Sequence, residues 1–220
     1  MGIGRRTFAK LVGLAVAGTL IDPFQAVVTS NRVYINKKLG ILFNIPKNWG
    51  FVKVKEFGKL KEKQILDGVF EVIKEEVFED LGDPICIVTK YFQDIPENKG
   101  LFSPTITLDM SYLEDVFNDK LKDMDELMHL SELGVSNILK EFKVIKRYDK
   151  YKICGCDTYE RDSEYLFEHI DLNEPIKVEL KSIKIVHSQF LYEFNFHQSK
   201  MQNQIAIEEF VDFKNSIKLI

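Results

Sequence analysis

The sequence lacks every short motif that marks an active site by itself. It has no G-x-S-x-G, H-E-x-x-H, P-loop or G-x-G-x-x-G, which excludes a nucleophile elbow, a zinc-protease helix and the common phosphate-cradling loops. A catalytic set gathered from distant positions is not excluded, because it needs no local spacing. Cysteine is scarce. Three in 220 residues are too few for a disulfide framework, and the odd count leaves at least one thiol unpaired within the chain. A basic surplus is missing too. Residues 1–29 hold Arg5, Arg6, Lys10 and Asp22, and the remainder carries 27 basic and 33 acidic side chains. That acidic balance does not fit a general nucleic-acid role, in which Lys and Arg supply the phosphate contacts. The apolar run Leu11–Ile21 has eleven residues, against the about 20 that a membrane span needs.

Aromatic side chains are plentiful, with 17 Phe and eight Tyr, as a folded chain requires. The clearest pattern lies in Ile176–Ile217. Phe190, Tyr192, Phe194 and Phe196 alternate with Leu191, Glu193, Asn195 and His197. This period of two predicts a half-buried strand with its aromatics on the core face. Val178, Leu180, Ile183 and Ile185 precede it as a second strand, forming a 176–196 hairpin. Ala206, Phe210, Phe213 and Ile217 follow as one apolar stripe on a helix over 203–217. A sheet with a helix to cover it makes an α+β layer.

Earlier in the chain, 32–35, 39–45, 51–56, 85–92 and 105–109 read as strands, as do 144–152 and 158–167. A helix is expected over about 60–80, weakened by Gly68. Ser111-x-x-Glu114 has the spacing of a capping box and opens a helical region to about residue 142, broken or bent near Gly134. No repeat, low-complexity segment or linker follows residue 30, so 30–220 is expected to form one domain.

Residues 1–29 read as an address. Gly4-Arg5-Arg6-Thr7-Phe8-Ala9-Lys10 precedes the mild apolar run and a polar exit, the parts of a secretory signal. Arg5, Arg6, Phe8 and Lys10 resemble a twin-arginine signal. No small-x-small triplet marks a cleavage site, so an uncleaved anchor stays open. No cysteine follows the run, which excludes a lipoprotein of the usual kind.

Cys154-Gly155-Cys156 is the most chemical local sequence. Two thiols at i and i+2 suit a soft metal, but zinc needs two more ligands and no second Cys pair exists. On an extended strand their Cβ atoms would stand roughly 7 Å apart, against the ~3.8 Å of a disulfide, unless Gly155 permits a bulge. A structural role is expected, free or bridged to Cys86. With a turn at Ser188-Gln189, His187 pairs with Phe190 and His197 lies opposite Leu180, roughly 23 Å away, too far to share an ion. Glu71, Glu75, Glu76, Glu79 and Asp80 are expected to form a solvated helix face, and Lys143, Lys146, Arg147, Lys150 and Lys152 an ordinary strand surface.

Three stretches carry a family resemblance: Lys38-Leu-Gly-Ile-Leu-Phe-Asn-Ile-Pro-Lys-Asn-Trp49, Ile153-Cys-Gly-Cys-Asp-Thr158, and Phe190–Phe196 with Phe210-Val-Asp-Phe-Lys-Asn-Ser-Ile-Lys-Leu-Ile220. They resemble the PsbP-like and DcrB-like exported proteins, in which a G-x-x-F-x-x-P-x-x-W stretch opens an antiparallel sheet and the last helix ends in a hydrophobic–Ser–hydrophobic tail. The resemblance implies an α/β/α sandwich with a central, mainly antiparallel sheet. It implies no enzyme activity; the sequence lacks clear ligand motifs, so no metal-site residue is carried over and no cofactor is expected. The implied role is that of an extrinsic or assembly subunit, with a protein partner at the outer face of the cytoplasmic membrane. The expected location is the periplasm or cell envelope, or the thylakoid lumen in a phototroph. Membrane contact is expected only through an uncleaved N-terminal segment. Two other readings stay open: a metal or redox protein using Cys154 and Cys156, and an enzyme with a site assembled from distant residues.

The twin-arginine reading has a direct test. A receptor that reads the planar guanidinium fork should reject the ammonium of lysine, whereas a general secretory signal asks mainly for positive charge. A chain with Arg5→Lys and Arg6→Lys, expressed in a host with that pathway and followed by cell fractionation, is expected to stay in the cytoplasm. Undiminished export would exclude the twin-arginine reading.

Overall fold

The computed structural model describes residues 27–28, 32–81, 83–91, 101–117, 121–200 and 205–220. The address residues Arg5, Arg6, Phe8 and Lys10 lie outside them. The strands are β1 (Val27–Val28), β2 (Val33–Asn36), β3 (Ile41–Asn44), β4 (Gly50–Phe51), β5 (Gln64–Ile65), β6 (Cys86–Thr89), β7 (Thr105–Tyr112), β8 (Lys140–Arg147), β9 (Tyr151–Ile153), β10 (Cys156–His169), β11 (Ile176–His187), β12 (Phe190–Ser199) and β13 (Lys218–Leu219). The helices are α1 (Val54–Lys63), α2 (Val69–Val72), α3 (Lys74–Leu81), α4 (Leu113–Val116), α5 (Met124–Ile138) and α6 (Ile205–Ser216).

Every strand pairing among the described residues is antiparallel. The main sheet runs β4-β6-β7-β12-β11-β10-β5. The long strand β10 takes β9, β8 and β5 in turn along its outer edge. The small sheet β1-β2-β3-β13 lies apart from it. The hairpin register places His187 opposite Phe190 and Leu180 opposite His197, as the sequence spacing requires.

Strand parity sorts the side chains into two faces. On the first, Tyr192, Phe194 and Phe196 of β12, Ile183 and Ile185 of β11, and Ile106 and Leu108 of β7 join one core with Ala206, Phe210, Phe213 and Ile217 of α6. The small sheet adds Tyr34, Ile41 and Phe43 to that core. Phe213 meets the rings of Phe43, Phe194 and Phe196 with centroids 4.8, 5.7 and 5.5 Å away. The chain end is stitched on by β13 and by the Ile220 amide, which donates to Gly40 O at 2.8 Å. Gly40 has φ +64°, and a Cβ there would stand 2.6 Å from Ile220 O, so only glycine fits. The serine of the tail has a structural use as well, since Ser216 Oγ accepts from the Asn44 amide at 2.9 Å.

The second face differs from expectation. Leu191 and Glu193 are buried there, not solvated. Leu191 packs under α4 and α5 with Val116, Met124 and Leu127, while α2 and α3 pack on the C-terminal end of α5 through Phe70, Ile73, Val77 and Ile138. The fold is α+β: a helix and small sheet on one face, a central antiparallel sheet, and helices on the other.

Other local expectations fail for identifiable reasons. The expected strand 51–56 is extended only through Phe51, and α1 begins at Val54. The helix expected over 60–80 is interrupted where Gln64–Ile65 pairs with β10 and Gly68 takes φ +46°. Ser111 caps nothing, since it is still in β7. The cap belongs to Asp123, whose Oδ1 accepts from the Glu126 amide at 2.9 Å. Gly134 does not break α5, where it lies buried within the helix.

Phe213→Ala is expected to destabilise the protein by about 3–5 kcal/mol, as large buried aromatics do when truncated. Urea unfolding of the variant checks this; a loss below about 1 kcal/mol would show that α6 is not integral to the core.

Candidate functional site

Two polar regions stand out, one on each face of the sheet. On the second face the register sets Lys184 beside Glu193 and Asp109 beside Glu193 on the other flank. Lys184 is fully buried, and its ammonium is ion-paired to Glu193. From β10, Arg161 reaches α5, donating to Met128 O at 3.5 Å and Ser131 Oγ at 3.3 Å, with Glu132 at 3.6 Å. Burial pushes the Asp109 carboxyl up to about 7, and the nearby Glu193 charge adds to the push, against Lys61, Lys184 and a Thr107 hydrogen bond. Further along, Tyr165 Oη and His197 Nδ1 are 3.1 Å apart, and burial takes His197 down to about 4. Asp109, Arg161, Lys184 and Glu193 are buried, and Arg161 ties them to α5, so the region is an internal ionic layer.

The first face is open where α6 does not reach. There β8, β10 and β11 form one side of a groove of about 490 Å³ and α6 forms the other. Its floor is an ion-pair network. Lys181 bridges Glu160 at 2.8 Å and Asp162, while Lys214 of α6 reaches Glu160 at 3.1 Å. Tyr151 and Tyr148 donate to Glu160 at 2.5 Å and Asp162 at 2.7 Å. Burial alone would raise the Glu160 carboxyl, but hydrogen bonds from Lys181 and Tyr151 hold it below the usual range. At the groove end Glu164 meets Lys143 at 2.5 Å and Lys177 at 2.8 Å, whose hydrogen bonds take it down to about 2. Above this floor three aliphatic side chains stay in water: Ile145 of β8 is 56% exposed, and Ile207 and Val211 of α6 are 50% and 45% exposed. Ile207 and Val211 are one helical turn apart and form a ridge facing the groove. Glu160, Asp162 and Glu164 each have a cation partner, and Glu179 accepts from the Gln198 amide. The chemistry the groove offers an incoming molecule is therefore apolar contact over a neutralised polar floor.

The three cysteines are free thiols. Cys86 is buried in the first-face core, which pushes its thiol well up. Cys154 is exposed and Cys156 half-buried. Cys154 and Gly155, at φ 51° and 82°, are the turn between β9 and β10, not an extended strand. Cys156 Sγ lies 3.2 Å from His187 Nδ1, a partnership across 31 residues that no spacing announced. His129 is exposed on α5. No cluster of three or more His, Cys, Asp or Glu suited to a metal occurs among the described residues, and no described helix is long and apolar enough to cross a membrane.

The fold is similar to that of cyanobacterial PsbP. The solution structure of that protein from Synechocystis, CyanoP, matches 93% of this chain and 99% of its own at 12% identity, with a TM-score of 0.50. More distant likenesses are LpqN of Mycobacterium tuberculosis, a protein involved in cell envelope biogenesis, and the Ran-binding protein Mog1p of Saccharomyces cerevisiae. LpqN is 10% identical at TM-score 0.46, covering 81% of this chain and 82% of its own; Mog1p is 9% identical at 0.43, covering 82% and 90%. Neither a family sequence profile nor the sequence of a curated protein matches the chain.

Sequence reasoning missed the ionic layer because Glu193 and His197 alternate with aromatics as solvent-facing residues would. One signal was available. Val178, Leu180, Val186 and Leu191 put apolar residues on the polar parity as well, the mark of a sheet covered on both sides.

The ionic layer has a pH signature. A carboxyl raised in the fold holds its proton when the unfolded chain has lost its own, so Asp109 makes stability fall as pH rises from about 4 to about 7. His197, lowered to about 4, acts oppositely: stability is lost as pH falls from about 6.5 toward 4. The Asp109→Asn variant isolates the first effect. Relative to it, the wild-type protein is expected to lose roughly 1.4 kcal/mol per pH unit within the Asp109 window, measured by urea unfolding at several pH values. Parallel pH profiles would refute the raised carboxyl.

Proposed function

We propose that this protein is an exported, non-catalytic binding or assembly subunit. In this reading residues 1–29 carry the chain out of the cytoplasm, and 30–220 act as one domain in the periplasm or cell envelope, or in the thylakoid lumen of a phototroph. The groove beside α6 receives an amphipathic helix of a protein partner. The observation that carries this reading is the exposed aliphatic rim Ile145, Ile207 and Val211 above a floor whose Glu160 and Asp162 carboxylates are already paired.

The geometry favours a helix as occupant. α6 covers one half of the first face, and its Ile207–Val211 ridge points across the uncovered half. A second helix laid beside it would pack ridge into groove and turn its polar flank to Lys181, Glu179 and Lys200 along the groove. Helix-in-groove recognition is read out through apolar anchors at i and i+4. The prepaired floor disfavours an isolated charge, which would have to displace a lysine already bound.

A photo-crosslinking amino acid placed in turn at Ile145, Ile207 and Val211 tests this in cells. The control position is Ile170, 67% exposed and not among the groove residues. The expected result is one protein adduct shared by the three groove positions, missing at Ile170, with the captured peptide mapping to a segment patterned as an amphipathic helix. Ile207→Asp with Val211→Asp is expected to cut capture on the order of tenfold while changing stability by less than about 0.5 kcal/mol, as surface substitutions do. Equal capture at Ile170, an adduct between two copies of this chain, or no adduct at all would refute the reading.

A further inference from the structure

The end of the sheet away from the groove brings a second kind of chemistry together. The turn Cys154-Gly155 and the turn Ser188-Gln189 lie at the same end, because Thr158 pairs with Ile185 and the strands run two residues further to Cys156 and His187. Cys156 Sγ and His187 Nδ1 then meet at 3.2 Å. An imidazole at that distance can take the thiol proton and leave the thiolate, which is the nucleophile of cysteine chemistry. Cys154 is the exposed partner. It sits at φ 51°, a left-handed conformation uncommon for a residue with a Cβ, and its Sγ donates to Ile217 O at 3.2 Å. The turn alters the distance argument against a bridge. Two steps of 3.8 Å bent through a tight turn bring the α-carbons of Cys154 and Cys156 to about 5.5 Å, inside the roughly 4.4–6.8 Å that disulfides span.

We propose that Cys156 and Cys154 are a two-electron thiol–disulfide pair oxidised by peroxide, with His187 as the base. The Cys156 proton passes to His187. The thiolate sulfur attacks one peroxide oxygen, the O–O bond breaks, and an S–OH bond forms. The departing hydroxide takes the proton from His187 and leaves as water. Cys154 then attacks the Cys156 sulfur, an S–S bond forms, the S–OH bond breaks, and a second water leaves with the Cys154 proton. The two thiols lose two electrons in total and the peroxide gains them. Cys86 takes no part, being buried in the core. Gly155 and the strained turn let the sulfurs swing together without disturbing the strand pairs on either side.

The full-length reduced protein, treated with hydrogen peroxide and sampled by peptide mass spectrometry with and without dimedone, tests the assignment. The expected product is a peptide that has lost two hydrogens across Cys154 and Cys156. Cys154→Ser is expected to stop at a dimedone-trapped sulfenic acid on Cys156. In His187→Asn the rate at Cys156, relative to Cys154 in the same molecule, is expected to drop roughly 10-fold or more, because the base positioned to take the Cys156 proton is gone. The internal ratio guards against a misfolded variant, because unfolding would expose Cys86 to dimedone as well. Equal rates at the two cysteines with no effect of His187→Asn, or oxidation stopping at sulfenic acid with Cys154 present, would overturn the proposal.

Discussion

The structure depends on burying both faces of three long strands, β10, β11 and β12. Their registers run unbroken for ten pairs between β10 and β11 and ten between β11 and β12. Because side chains alternate with a period of two, those registers decide at once what enters the aromatic core under α6 and what enters the ionic layer under α4 and α5. A slip of one residue would turn Lys184 and Glu193 toward Phe210 and Phe213 of α6, and would turn Tyr192, Phe194 and Phe196 toward Arg161. Neither arrangement could satisfy its charges.

That constraint gives the buried ions a physical role. Removing two charges from water costs more than a salt bridge usually returns, so Lys184–Glu193 is poor evidence of stability. Its effect is on specificity. Each wrong register leaves an unpaired charge in an apolar layer, which is far costlier than the paired one. Arg161, tied by its guanidinium to the backbone and side chains of α5, carries the same specification from the sheet to the helices above it.

With the second face covered by helices and half of the first closed by α6 and the small sheet, the uncovered surface is the one assigned to a partner in the proposed function. The groove is the uncovered half of the first face. Its boundary strand β8 pairs with β10 and carries Lys140, Lys143, Lys146 and Arg147, charges that blunt an edge against unwanted strand addition. In the proposed reading, partner contact is thereby directed to the aliphatic rim. At the far end of the same strands, the two hairpin turns set Cys156 against His187. The groove and the Cys156–His187 contact thus occupy separate ends of one sheet.

The sequence alone determined the hairpin, its turn at Ser188-Gln189, its pairing register and the apolar stripe of α6. These are local periodicities, set by backbone geometry within one segment. It also carried the α+β class and the likeness to PsbP in Gly40, Phe43, Pro46 and Trp49. Helix boundaries were less legible where a distant partner intervened: Gln64–Ile65 is a strand because β10 is there to pair with it, and Ser111 is extended because β12 holds it at Leu191. Only the tertiary structure decided that Glu193 and Lys184 are interior, that Asp109 titrates beside them, that Ile145 faces Ile207 and Val211 across an open groove, and that Cys156 meets His187. Each of these depends on segments far apart in the chain, and sequence periodicity gives the face a side chain is on but not what another segment places over it.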